Sequence, residues 1–214
     1  MHAYQSDFLD LALQHQVLKF GQFTLKSGRN SPYFFNLGQI SSGAAMQTLG
    51  RAYAQALADA GIEYDMLFGP AYKGIPLVTA VAIALAEQGR DLPYAYNRKE
   101  AKDHGEGGTL VGAPPKGRVV IVDDVLTAGT ALRQAVTMLR AAGAEPVAAV
   151  IALDRQERGS SGRSAVQEME ADSGIRVVSL VNVRTVLEYL GRGSAVDAAT
   201  IEAIRTYQAQ YGVD

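Results

Sequence analysis

Two adjacent carboxylates, Asp123 and Asp124, follow the apolar run Val119-Val120-Ile121-Val122 and precede Val125-Leu126-Thr127-Ala128-Gly129-Thr130-Ala131. The run is β-branched, uninterrupted and too short for a helix, so it reads as a fully buried strand. A helical pattern then passes through Ala131, Leu132, Ala135, Val136 and Leu139. A parallel strand delivers the residues at its carboxyl end to the crevice where open α/β sheets bind ligands. The turn Thr127-Ala128-Gly129-Thr130 has little side-chain bulk, so its amides can approach an anion closely. The helix after it adds unpaired N–H groups and the positive end of its dipole. The turn therefore reads as a phosphate cradle. The aspartates repel a phosphate, but they suit vicinal hydroxyls, a cationic transition state, or a metal held through water. Phosphate, diol and developing cation together describe a phosphorylated sugar. An Asp-Asp pair alone is more often a cap or turn; the strand before it and the turn and helix after it favour chemistry. Neither Gly-x-Gly-x-x-Gly nor Gly-Lys-Ser/Thr occurs, which excludes the dinucleotide fingerprint and the P-loop.

Other elements must bring cations to such a site. Met66-Leu67-Phe68-Gly69 reads as the first buried strand, followed by the turn Gly69-Pro70-Ala71-Tyr72-Lys73-Gly74-Ile75-Pro76 and a helix from Leu77 to Glu87. A lysine in a βα turn repeats the anion-site geometry. After a short strand from Leu92 to Asn97 comes Arg98-Lys99-Glu100-Ala101-Lys102-Asp103-His104-Gly105-Glu106-Gly107-Gly108. This segment is too polar and glycine-rich to pack, and it reads as an exposed mobile loop. Such a charge run is usually a solvated surface; here Arg98, Lys99, Lys102 and His104 gather four potential cations on an acidic chain. The strand from Pro146 to Leu153 ends at Asp154-Arg155, where a planar, permanent cation suits a carboxylate. Near the start, apolar alternation on either side of Ser27-Gly28-Arg29-Asn30-Ser31-Pro32 marks two short antiparallel strands, with Lys26 at the loop edge. Helices are expected over Tyr4 to Gln16, Ser42 to Ala60, Ser164 to Asp172, Val183 to Tyr189 and Asp197 to Tyr211. A last strand is expected over Val177 to Leu180.

Composition sets the bounds. The chain has 214 residues, 48% hydrophobic, which suits one domain. A net charge of −2 gives no broad attraction to nucleic acid. There is no cysteine, so no thiolate chemistry, and His2, His15 and His104 lack zinc spacing. The first residues lack the basic and apolar regions of a signal peptide, and no apolar run is long enough to span a membrane. A cytoplasmic protein is expected.

The stretch from Val119 to Ala131 resembles the phosphoribosyl-pyrophosphate (PRPP) motif of type I phosphoribosyltransferases. Leu25-Lys26-Ser27-Gly28-Arg29 with Ser31-Pro32-Tyr33-Phe34, and the Arg-Lys, Lys, His, Gly-Glu-Gly-Gly spacing of residues 98–108, resemble the orotate phosphoribosyltransferases among them. The likeness runs from about Lys19 to Arg158. It implies an α/β fold of the type I phosphoribosyltransferase kind: one domain, residues 1–214, with a central parallel sheet of about five strands flanked by helices. A small N-terminal hood lobe would draw on residues up to about 40.

The resemblance also implies roles. Tyr72, Lys73, Arg98, Lys99, Lys102, His104, Asp123, Asp124 and the residues Val125 to Ala131 would hold PRPP. Lys26, Phe34, Phe35, Thr127 and Arg155 would hold orotate, with Lys102, Asp123 and Asp124 as the catalytic set. Phe34 and Phe35 also have a plain reading as core packing. Mg²⁺ is expected, held mainly by PRPP and through water by Asp123 or Asp124. The chain would be a homodimer whose loop 98–108 completes the neighbouring subunit's site. The expected reaction is orotate plus PRPP to orotidine 5′-monophosphate and pyrophosphate, a step of pyrimidine synthesis. Two rivals are a phosphoribosyltransferase for another base, opposed by Lys26, Phe34 and Arg155, and a PRPP-sensing nucleic-acid-binding regulator, for which no basic face is evident.

Overall fold

Helix α1 (Ala3–Gln14) buries Phe8, Leu9, Leu11 and Ala12. An antiparallel pair follows, β1 (Leu18–Thr24) and β2 (Asn30–Phe35). A 3-10 turn, Leu37–Gln39, leads to α2 (Gly43–Asp59). Then come β3 (Met66–Gly69), α3 (Gly74–Glu87), β4 (Tyr94–Lys102), β5 (Gly108–Gly112), β6 (Arg118–Val122), α4 (Thr130–Ala141), β7 (Glu145–Asp154), α5 (Ala165–Ser173), β8 (Arg176–Asn182), α6 (Val183–Leu190) and α7 (Ala198–Tyr211). This computed structural model describes residues 1–214 except 26, 103–107, 128, 194, 195 and 214, with only the backbone at 101, 102 and 108.

The main sheet has six strands in the order β5-β4-β3-β6-β7-β8. Five are parallel, as expected from the sequence. The sixth, β5, pairs antiparallel with β4, so the sheet is mixed rather than wholly parallel. Its physical origin is a hairpin: β4 does not stop at Asn97 but runs on to Lys102, which pairs with Gly108 across a bulged register. Arg98 to Lys102 are therefore strand, and the expected loop narrows accordingly.

Strand alternation assigns the core. Leu67, Val120 and Val122 join the cluster made by α1, α2, α3, α6 and α7. Met66, Phe68, Val119 and Ile121 face the other way, toward Leu132, Ala135, Val136 and Leu139 of α4 and Met169 of α5. With both faces covered, Val119 to Val122 are fully buried, which is why the run is apolar at every position. Each such Val or Ile contributes roughly 1.5–3 kcal/mol relative to exposure. Side-chain caps start the helices sharply: Ser42 accepts from Ala45 N–H, Asn182 from Thr185 N–H and Asp197 from Thr200 N–H. The small β1–β2 sheet has no core of its own. Its Leu18 and Tyr33 join the cluster that also holds the buried faces of α1 and α2.

Candidate active site

The site is built where β3, β6 and β7 end. After β3 the chain turns tightly into α3, and two glycines permit it. A methyl group on Gly69 would lie 2.2 Å from the Gly74 carbonyl oxygen, and one on Gly74 would lie 2.9 Å from that of Val122. The turn is held from β4 as well: Ala71 N–H donates to Asn97 Oδ1 at 3.0 Å. The peptide between Ala71 and Tyr72 is cis. Tyr72 is exposed, with Lys99 Nζ 4.6 Å from its ring centroid, so a residue of the βα turn meets a cation of β4.

Lys73, the last residue of this turn, reaches across to the end of β6. Its Nζ donates to Asp124 Oδ2 at 2.5 Å. Asp124 is buried, and its N–H donates to Asp123 Oδ1 at 2.9 Å. From behind, the fully buried Tyr53 of α2 donates its hydroxyl to the Asp123 carbonyl oxygen at 2.8 Å. Burial, and then the neighbouring Asp124 charge, push the Asp123 carboxyl up to about 7; the Asp124 N–H and Lys73 oppose this without cancelling it. One lysine therefore serves two carboxylates, and negative charge is left in excess.

Beyond the pair, Val125 bridges to Leu153 of β7, and Thr127 is exposed. Gly129 adopts φ +70°, a left-handed conformation suited to glycine, and Thr130 opens α4. The first-turn amides of α4 thus stand beside the aspartates, an anion-binding arrangement next to a cation- or diol-binding one.

Two residues past Leu153, Arg155 turns under the small sheet. Its Nη2 donates to Ser31 Oγ at 3.0 Å and its Nε to Glu157 Oε1 at 2.7 Å. Phe34 is exposed and stacks on Phe23, with centroids 5.5 Å apart. Phe35 points into the main core, 6.4 Å from Phe8. Phe34 is thus the phenylalanine with a free face, and Phe35 answers to packing. Arg98 is half-buried on β4. Lys26, His104, Ala128 and the Lys102 side chain lie outside the described residues.

Asn97, Tyr53 and Glu157 were not singled out from sequence. Asn97 had a local signal, a polar residue ending an apolar strand. Tyr53 sits in an alanine-rich helix and had none. As for a metal, Asp123 and Asp124 offer hard oxygen donors of the kind Mg²⁺ prefers. No cluster of three or more His, Cys, Asp or Glu among the described residues could cage one.

The chain matches the phosphoribosyl transferase domain family over residues 37–179. It is 58% identical over 215 residues to the orotate phosphoribosyltransferase of Saccharophagus degradans, covering all of both chains. It is likewise 58% identical over 214 residues to that of Pseudomonas aeruginosa, again end to end. Among solved structures, the orotate phosphoribosyltransferase of Francisella tularensis superimposes with a TM-score of 0.86 at 42% identity, covering 96% of this chain and 99% of that one. A mixed sheet with an acidic pair at the end of its central strand, together with relatives of equal length, has one consistent reading: the chain belongs to the phosphoribosyl transferase domain family and, within it, to the orotate phosphoribosyltransferases.

Proposed function

We propose that the crevice over β3, β6 and β7 transfers the phosphoribosyl group of PRPP to orotate, releasing orotidine 5′-monophosphate and pyrophosphate in pyrimidine synthesis. The observation that carries this reading is the convergence of Lys73 on Asp124 beside the Gly129–Thr130 turn. It supports a cation for the leaving group, anions for the sugar and amides for a phosphate working together.

Departure of pyrophosphate leaves an oxocarbenium-like C1, as in glycoside cleavage. Asp123 and Asp124 bind the ribose hydroxyls and favour that developing cation. Lys73 leaves Asp124 for the pyrophosphate as PRPP arrives, joined by Arg98, Lys99, Lys102 and His104. The amides from Val125 to Ala131 fix the 5′-phosphate. Mg²⁺, held by Asp123 or Asp124 through water, would neutralise charge on the pyrophosphate when bound. Orotate is already an anion and needs orienting more than deprotonating. Lys26, Thr127, Phe34 and Arg155 do this, while Phe35 supports the pocket from the core side. No helix is long and apolar enough to cross a membrane among the described residues, and the reading places the enzyme in the cytoplasm.

The test offers orotate, uracil, adenine and hypoxanthine in turn to purified protein with PRPP and Mg²⁺. Turnover of orotate alone is expected. Turnover of another base instead would overturn the pocket assignment, and none at all would favour a PRPP-binding regulator. The dimer is part of the same proposal, with segment 98–108 of one subunit serving its neighbour. Mixing inactive Lys102→Ala with inactive Asp124→Asn should then restore activity. No recovery after confirmed subunit exchange would assign the segment to its own subunit.

A further inference from the structure

Glu157 follows β7 with its side chain only 14% exposed, and the chemistry above makes no use of it. Its Oε1 accepts from Arg155 Nε at 2.7 Å and lies 2.6 Å from Arg155 Nη2. Tyr33 Oη donates to the same oxygen at 3.5 Å. Glu157 Oε2 lies 3.8 Å from Arg29 Nη1, and Arg29 is anchored in turn by donating from Nη2 to the Arg158 carbonyl oxygen at 2.8 Å. The Tyr33 ring supports the guanidinium face, with its centroid 4.1 Å from Arg155 Cζ. Tyr207 Oη is buried beside this group, close to both Arg155 and Glu157. Burial raises its pKa first and the Glu157 charge adds to this, with Arg155 opposing.

The arrangement constrains Arg155 in a particular way. One side of its fork, Nε and Nη2, is engaged by Glu157; Nη2 is also tied to Ser31; one face is covered by Tyr33. Nη1 takes part in none of these bonds. Among the described residues, two arginines, Arg29 and Arg155, face the one Glu157 carboxylate. A guanidinium already fixed in orientation, with donors left on one nitrogen, is pre-organised for a carboxylate. Left without Glu157, the long arginine chain would have to be ordered at each binding event.

We infer that Glu157 is a positioning residue for base specificity, holding the Arg155 fork so that Nη1 meets the carboxylate carried by the base. This rests on the proposed orotate pocket and deepens it. Glu157 acts through Arg155, with Ser31 and Tyr33 completing the mount.

The experiment measures KM for orotate and for PRPP, with kcat and melting temperature, in the wild type, Glu157→Ala, Glu157→Asp, Glu157→Gln and Arg155→Ala. Glu157→Ala should raise the orotate KM about 10-fold or more, the scale of a lost hydrogen bond to a charged group, and leave the PRPP KM nearly unchanged. Glu157→Asp, whose shorter arm withdraws the acceptor, should move the orotate KM in the same direction and serves if the alanine variant does not fold. Glu157→Gln keeps an oxygen for Arg155 Nε and should recover most of the loss. Wild-type turnover with an orotate KM unmoved in the alanine and aspartate variants, while Arg155→Ala raises it, would overturn the role of Glu157 alone. Equal rises in both KM values with a lowered melting temperature would reduce Glu157 to a structural tie. Absence of orotate turnover by the wild type would overturn the functional reading and this inference with it.

Discussion

The two ends of the central strands treat aspartates in opposite ways. Before β3, Asp65 accepts from the Arg118 backbone N–H at 2.9 Å, from its Nε at 3.1 Å and from its Nη2 at 2.9 Å. Those side-chain and backbone hydrogen bonds hold the Asp65 carboxyl down to about 2. Arg118 also pairs with Glu63, so both acids ahead of β3 touch the one guanidinium. At the carboxyl ends, Asp123 and Asp124 share Lys73, and burial pushes Asp123 up to about 7. At the amino end both carboxylates contact their arginine and stand open to solvent. The carboxyl end is incomplete and partly closed off. A structural ion pair satisfies itself, whereas a binding site leaves a deficit for its substrate to fill, and that deficit costs stability while the site is empty.

The largest effect on this contrast should come from Asp123→Asn. On the proposed roles it removes one anion that faces the sugar, so kcat/KM should fall about 10²–10³-fold. The same change should stabilise the free protein in Mg²⁺-free buffer above neutral pH. The sign follows from the raised pKa: the folded state holds the Asp123 proton more tightly than the unfolded one. This contribution is full below about pH 4 and is lost as pH rises through about 7. At about 1.4 kcal/mol per pH unit the loss is at most ~4 kcal/mol, and less with Lys73 adjusting nearby. Denaturant melts at pH 5 and pH 8 check it; equal pH dependence in wild type and variant would mean the buried charge imposes no cost.

At the other end, Asp65→Asn should give the smallest effect. Its depressed pKa means that stabilisation is present above about pH 4 and lost as pH falls toward about 2. The pair is exposed and screened, so a slight drop in melting temperature at pH 7 is expected, removed by high salt, with turnover unchanged. A marked fall in kcat would show that the two ends are not independent.

What the sequence revealed and what it hid divide along the reach of each interaction. The buried run Val119 to Val122, the acidic pair and the turn before α4 are all local, so composition and period expose them. Lys73 was also readable, because β3, its turn and α3 repeat that local plan. The extension of β4 to Lys102 depends on pairing with Gly108 across the intervening segment, and no period marks it. The Ala71–Asn97 bond joins the turn after β3 to the interior of β4, and the Arg155–Ser31 bond spans 124 positions of chain. Phe34 and Phe35 are adjacent and chemically identical; only the packing of Phe8 and Phe23 around them separates a free ring from a core ring.

Ala152 N–H donates to the Asp124 carbonyl oxygen at 2.8 Å, and Val125 bridges to Leu153. These ladder contacts make the end of β6 proposed to handle the sugar and the end of β7 proposed to handle the base lateral neighbours, about 4.8 Å apart as strands are. Along the chain the same two ends are separated by the whole of α4. Under the proposed roles, substitutions at residues 155–158 and the facing β2 leave the stretch from Val119 to Ala131 in place, with Thr127 the position that serves both ligands. Change in the accepted base is then largely separated from the sugar chemistry, and Thr127 is where the two meet.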